Sequence, residues 1–172
     1  MVRKTRRLPR TPEIQHHHLL LRMELERCPG PDDKQEARDL IERVIRDIQM
    51  KALAAPHVYY VKVPHYNEGL TAIVPIETSH IAFHFWRTPN HNLLHNRQSR
   101  CLLQFDVYTC GTLNLGQVKH ILHHLTQYGP CHVNITLLNR NSGLSIERHM
   151  KWDSAKNRSS WTQWLESDRF RG

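Results

Sequence analysis

The chain of 172 residues is long enough for one domain with a hydrophobic core and short for two. Apolar residues make up 39% of it, and the absence of an 18-residue apolar run argues against a membrane span. The basic start MVRKTRRLPR is not followed by the apolar segment that a secretory signal needs, so we expect a cytoplasmic protein.

The net charge of +8 is concentrated at the two ends of the chain. Residues 1–10 contain five basic residues and no acidic ones, and residues 139–172 contain seven basic and four acidic ones. The middle, 11–138, has twelve of each and is neutral. Non-specific attraction of nucleic acid to basic tails is therefore an alternative to simple solvation of those tails.

The four cysteines are widely spaced and include no CxxC pair. This spacing favours free thiols in a reducing compartment over a disulfide framework. It also lacks the paired pattern of a structural zinc site. His16, His17 and His18 alternate between the two sides of a predicted strand, so they do not converge on one ion. We expect no metal.

Apolar periodicity predicts the element order β-α-β-β-β-β-α-β. Because the consecutive strands are joined by short turns, the sheet is expected to be mainly antiparallel, with two helices on one face. This is an α+β two-layer sandwich. The predicted strands are 16–28, 57–63, 70–76, 80–86, 101–108 and 132–138, and the helices start at Asp32 or Asp33 (ending by Pro56) and at Leu115 (ending at Tyr128).

Three regions follow from this pattern. Residues 1–15 are a basic flexible tail, 16–138 form the domain, and 139–172 are a polar C-terminal extension. Trp161, Trp164 and Leu165 have the spacing of a short amphipathic helix within that extension.

The strand face opposite the helices carries an unusual set of side chains. Alternation places a hydroxyl, two imidazoles, a carboxylate and a thiol there, from Thr71, His80, His84, Asp106 and Cys110. Such a set is a candidate active site, and the alternative is a solvated polar face. The apolar side chains of the same face, Ile73, Ala82 and Trp86, favour coverage by a second subunit and hence a homodimer.

Two linked stretches resemble the motifs of the prokaryotic S-adenosylmethionine decarboxylase proenzymes. They are Ser79-His80-Ile81-Ala82-Phe83-His84 and Asp106-Val107-Tyr108-Thr109-Cys110-Gly111. The resemblance in element order runs from about His18 to Leu138. It implies self-cleavage between Thr78 and Ser79 and a pyruvoyl group derived from Ser79, which forms a Schiff base with the substrate amine.

The resemblance also assigns roles to residues. His84 matches the base that assists processing, Thr71 the processing hydroxyl, and Cys110 the proton donor to the product carbon. Tyr66 is the candidate aromatic residue for substrate binding. The implied reaction is decarboxylation of S-adenosylmethionine for spermidine synthesis.

One departure from the family pattern bears on the substrate. After the second histidine the family continues Thr-Trp-Pro-Glu, where the glutamate holds the ribose hydroxyls, but this chain has Phe85-Trp86-Arg87-Thr88. A decarboxylase of ornithine or arginine on the same scaffold is therefore one alternative. Another is an unprocessed, non-catalytic member that binds nucleic acid or protein through its basic tails.

Overall fold

The described part of the chain is organised by a seven-stranded antiparallel sheet, whose strands, numbered β1 to β7 in chain order, lie side by side in the order β2-β3-β4-β5-β1-β6-β7. The computed structural model describes residues 15–63, 67–77, 79–87, 89 and 91–170. Tyr66 and Thr78 lie outside the described residues, as does most of the predicted 1–15 tail. The strands are β1 His17–Leu25, β2 His57–Val63, β3 Asn67–Ile76, β4 Ser79–Trp86, β5 Cys101–Thr109, β6 Pro130–Asn139 and β7 Ser145–Asp153.

The helices pack on one face of this sheet, which confirms the predicted α+β class. They are α1 Lys34–Asp47, α2 Leu115–Leu125 and the short α3 Trp161–Leu165. The apolar faces of α1 and α2 share one buried core with the inward residues of the strands. None of the described helices has the length and apolar character required to cross a membrane.

The alternation in β4 illustrates how the sheet separates two environments. Ile81, Phe83 and Phe85 are buried beneath the helices, whereas the residues between them are half-buried on the opposite face. The Phe83 ring stacks on Phe105 of the next strand, with ring centroids 5.7 Å apart. Burial of these large rings stabilises one register, because a shift by one residue would expose every one of them.

The first long helix is shorter than predicted, whereas the second starts at Leu115 and is continued to Tyr128 by a 3-10 turn, as predicted. α1 ends at Asp47, and Ala52, predicted as helical, instead forms a β-bridge with Ile76. The side chain of Asp33 accepts a hydrogen bond from the Gly30 amide (2.7 Å) rather than capping the helix. In α2, Asn114 and Gln117 form a capping box, which fixes the helix start.

A seventh strand was not predicted from the sequence. β7 pairs with β6 at the sheet edge, and much of it is exposed on both faces, so its apolar alternation is weak. The helix predicted from Trp161, Trp164 and Leu165 is present as α3. It packs against β7 through Trp152 and Trp161, whose ring centroids are 5.4 Å apart.

The expectation of four free cysteines is wrong for one pair. Cys28 and Cys101 form a disulfide, with Cα atoms 5.2 Å apart. The pairing follows from topology, because Cys101 lies opposite Leu25 in the β1–β5 register and Cys28 follows β1 by a few residues. The sequence separation of 73 residues hid this proximity. Cys110 and Cys131 are free thiols.

A buried carboxylate anchors the loop between β4 and β5 onto the face opposite the helices. Glu24 of β1 is fully buried, and its oxygens accept hydrogen bonds at 2.9 Å from Arg22, from the backbone amides of His95 and Asn96, and from the Ser99 hydroxyl. Burial alone would raise the pKa of Glu24, but the hydrogen bonds, that from Arg22 foremost, lower it from 4.5 to about 2.

We predict that Glu24→Gln lowers the free energy of unfolding at pH 7 by about 3 kcal/mol, because the amide leaves buried donors unpaired. The folded pKa lies below the unfolded one, so the wild-type contribution is complete above pH 4.5 and is lost as the pH falls towards 2. Urea unfolding at several pH values measures both the loss of stability in Glu24→Gln and its dependence on pH. As a control, Glu77→Gln removes only an exposed pair with Lys51 (3.7 Å) and should change little. Equal effects of the two substitutions would contradict the role of Glu24 in anchoring the loop.

Candidate active site

The face opposite the helices contains an open cavity of about 620 Å³. It is floored by outward side chains of β3, β4, β5, β1 and β6. Apolar and polar groups alternate across it, and Ile73 and Leu20 are exposed at 45% and 38%. The predicted apolar character of this face is therefore confirmed, and its volume is typical of a small-molecule site.

Thr71 and His84 form a pair at one end of β4. They lie directly opposite each other in the β3–β4 register, and Thr71 Oγ1 is hydrogen-bonded to His84 Nδ1. The Trp86 ring packs against the imidazole, with centroids 3.9 Å apart. Burial lowers the pKa of His84 below 6.5, so the ring is neutral at pH 7 and able to accept a proton.

Ser79, His80 and Asp106 form a second group at the other end of β4. Ser79 Oγ lies 3.3 Å from His80 Nδ1, and His80 Nε2 lies 3.5 Å from Asp106 Oδ2. A carboxylate can only accept, so it favours the proton on His80 Nε2 and leaves Nδ1 as an acceptor for the serine hydroxyl. A hydroxyl next to an imidazole that is itself next to a carboxylate is the arrangement that activates a hydroxyl as a nucleophile.

Asp106 is also tied to β1 and to the end of β6. His18 Nε2 lies 3.1 Å from Asp106 Oδ2, and Arg140 Nη1 lies 3.4 Å from His18 Nδ1. The Arg140 guanidinium sits over the Tyr108 ring, 4.2 Å from its centroid. These contacts hold the carboxylate in place and put the positive charge of Arg140 over the Tyr108 ring, which packs edge-on against His80.

Cys110 belongs to the Ser79 end. It follows directly after β5, is half-buried and carries a free thiol. His80 pairs with Tyr108, so Cys110 lies two residues beyond the partner of His80. The hydrogen bond from the Gly111 amide to Thr109 Oγ1 (2.9 Å) shapes the turn that carries it.

The predicted site residues therefore divide into two groups within one chain. β4 pairs with β3 and β5 without a register shift, and Ser79 and His84 are five residues apart on it. At the usual rise this separation is roughly 16 Å, far beyond side-chain contact. The structure joins Thr71 to His84, and it places Cys110 near Ser79, but it does not bring His84 to Ser79 of the same chain.

Three residues of the Ser79 group were missed by the sequence analysis: His18, Tyr108 and Arg140. His18 lies on β1 and Arg140 directly follows β6. In the sheet β1 lies between β5 and β6, although it is next to neither in sequence. Such pairing has no local sequence signature. Tyr108 differs from these two residues. It follows Asp106 by two positions in the same strand, so alternation alone could have assigned it to the same face.

Comparison with protein families identifies one match. Residues 18–141 match the family model described as S-adenosylmethionine decarboxylase, which is more than half of the chain. The matched range includes both ends of β4 as well as Asp106, Cys110 and Arg140. A search of curated proteins found no significant match.

Proposed function

The chain belongs to the S-adenosylmethionine decarboxylase family, and we propose that it is a pyruvoyl-dependent decarboxylase that cleaves itself between Thr78 and Ser79. The observation that carries the proposal is the position of Ser79. It starts β4 with its hydroxyl against a histidine nitrogen whose ring is oriented by a carboxylate. The cytoplasmic location expected from the sequence stays a prediction.

Self-cleavage needs a serine oxygen that has lost its proton. In the proposed sequence, His80 Nδ1 takes that proton as Ser79 Oγ attacks the carbonyl carbon of residue 78, and the amide becomes an ester. Loss of the Ser79 α-proton would then break the Cβ–O bond, which releases residues 1–78 with a C-terminal carboxylate and leaves a dehydroalanine at the start of 79–172. The imine form of that residue would take up water and lose ammonia, which gives the pyruvoyl carbonyl. Asp106 stabilises the protonated His80 during the first step, because the two are 3.5 Å apart.

The fit of this chain to a pyruvoyl group rests on Ser79 itself, which is half-buried and within hydrogen-bonding distance of His80. The group supplies a carbonyl that binds the substrate amine and accepts electrons as carbon dioxide leaves. Cys110, at the same end of the sheet, is the candidate proton donor to the product carbon. Arg140, over Tyr108, is a candidate partner for the substrate carboxylate.

The remaining pair, Thr71 and His84, is proposed to act on Ser79 of a second copy of the chain. A two-fold axis across the middle of β4, near Ala82, would set the His84 end of one copy over the Ser79 end of the other. Ala82 pairs with the exposed Ile73, so the centre of this face is apolar, as a dimer interface requires. His84, neutral at pH 7, would then remove the Ser79 α-proton of the partner.

For the substrate, we propose S-adenosylmethionine, whose decarboxylation leads to spermidine. The family match supports it, and so does the cavity of about 620 Å³ with Trp86 in its wall. The sequence Phe85-Trp86-Arg87-Thr88 lacks the carboxylate that holds ribose hydroxyls in the family. That absence keeps ornithine and arginine as second candidates, because neither contains ribose.

Intact mass of the purified protein tests the cleavage directly. We expect two fragments, residues 1–78 and 79–172, with the second lacking an ordinary N-terminal amine. Ser79→Ala should leave one chain of 20.4 kDa, and His80→Gln should slow cleavage by roughly 10²-fold because the base is lost. Ser154→Ala is a matched control away from β4. A single uncleaved wild-type chain would overturn the proposal in favour of a non-catalytic member of the family.

Mixing two inactive variants tests the shared site. His84→Ala and Ser79→Ala should each stay uncleaved alone, but in a mixed dimer the Ser79→Ala copy supplies Thr71 and His84 to the intact Ser79 of the other. Co-expression with distinguishable tags should therefore yield cleaved fragments of the His84→Ala chain only. If the mixture stays uncleaved, or if His84→Ala alone cleaves at the wild-type rate, the proposal that His84 of one copy acts on Ser79 of the other is wrong.

A further inference from the structure

A second group of ligand-type side chains lies where the anchored loop crosses β1 and β6. Glu24, His95 and His132 each offer one ligand atom, and these three atoms all lie within 4.8 Å of one another. Glu24 and His132 are partners in the β1–β6 register, and His95 reaches them from the loop. We propose that the three residues bind one divalent transition-metal ion of the zinc class, which clamps the loop to the sheet.

His132 is oriented as a metal ligand. Its Nδ1 lies 3.1 Å from Asp153 Oδ2, which holds the ring proton on Nδ1 and leaves the lone pair on Nε2. Asn134 Nδ2 lies 3.1 Å from Nε2, as expected if that nitrogen is an acceptor. The side chain is only 12% exposed. A carboxylate behind a histidine is the usual outer support of a metal ligand, and it strengthens the nitrogen as a donor.

Glu24 supplies a fixed anionic oxygen. The carboxylate is fully buried and accepts hydrogen bonds from Arg22, the Asn96 amide and the Ser99 hydroxyl, and these donors favour its ionised form. Its Oε1 lies 2.8 Å from His95 Nδ1. An ion would take the place of the His95 Nδ1 proton, which the neutral ring then carries on Nε2, while the amide of Asn96 and the hydroxyl of Ser99 keep Oε2 in place. Protons compete with the ion for the histidine nitrogens, so binding would weaken as the pH falls.

His95 completes the set from the solvent side. Its ring stacks on that of His132, with centroids 4.7 Å apart and planes at 14°. The His95 side chain is 59% exposed, so an ion has an entry path and room for a water ligand. Three charged side chains flank the site: Arg22 beside Glu24 (2.9 Å), Asp153 behind His132, and Lys156 at 3.8 Å from Asp153.

The donor chemistry selects the class of ion. Two imidazoles and one carboxylate suit Zn²⁺ and its neighbours in the first transition row, whereas Ca²⁺ and Mg²⁺ prefer oxygen ligands alone. Cys131 precedes His132 in β6, but its thiol contacts the Gly129 carbonyl (3.5 Å) and is not among the ligand atoms that converge at this site.

Zn²⁺ titration of the metal-free full-length chain against a chromophoric chelator tests the site. We expect one tight equivalent, and at least tenfold weaker binding in His132→Ala and in His95→Ala, which changes an exposed loop residue and should fold normally. His149→Ala is the matched control, since that exposed β7 histidine contacts Thr136 and not the cluster, and it should bind like the wild type. Zn²⁺ should also raise the Tm of the wild type and of His149→Ala, but not of His95→Ala.

The Co²⁺ spectrum distinguishes this site from other histidines and from the thiols. Nitrogen and oxygen ligation gives visible d–d bands without thiolate charge transfer, and the bands should be lost in His95→Ala and His132→Ala. Equal binding by all variants would place the ion on other histidines and overturn the proposal. So would a thiolate charge-transfer band, or no tight equivalent in the wild type, which would leave Glu24 as a loop anchor without metal.

Discussion

The unbroken pairing of β4 between β3 and β5 is the constraint on which the rest of the molecule depends. Its inward side chains, Ile81, Phe83 and Phe85, fix the register by burial under the helices. The same register then determines the opposite face, where Thr71 meets His84 and His80 lies beside Asp106. Because no bulge shortens the strand, Ser79 and His84 are held at its two ends.

That separation gives the proposed dimer a chemical reason. Within one chain, the Ser79 end has a hydroxyl, an imidazole and a thiol, and the His84 end has a second imidazole whose pKa is lowered by burial. Neither end contains the whole set assigned to processing. A second copy that inverts β4 would supply each end with the residues of the other and would cover Ile73 and Leu20, which are exposed in the single chain.

The loop between β4 and β5 is held on the sheet by a buried charge, the Glu24 carboxylate, whose oxygens are fully hydrogen-bonded. Glu24 lies on the outward parity of β1 and would face solvent without the loop. The loop covers it and provides the backbone amides of His95 and Asn96 in exchange for water. A buried carboxylate without such donors would be protonated or would destabilise the fold. The loop and the carboxylate therefore stabilise each other.

Local pattern was sufficient for most of the fold and for part of the candidate site. It identified β1 to β6, and period-2 alternation placed Thr71, His80, His84 and Asp106 on the outward face, because burial on one face leaves a direct trace in sequence. It could not reveal the disulfide between Cys28 and Cys101, nor the contacts of His18 and Arg140. These depend on β1 lying between β5 and β6, and long-range pairing leaves no such trace. β7 was missed because an exposed edge strand has little to bury.

Carbon dioxide release tests most directly whether a pyruvoyl group from Ser79 decarboxylates S-adenosylmethionine. Cleaved protein should release carbon dioxide from carboxyl-labelled S-adenosylmethionine, and a hydrazide that blocks carbonyl groups should abolish the release. Release from ornithine or arginine instead would keep the chemistry and replace the substrate. Cleaved protein that releases carbon dioxide from none of the three, or whose activity is indifferent to the hydrazide, would contradict the central claim.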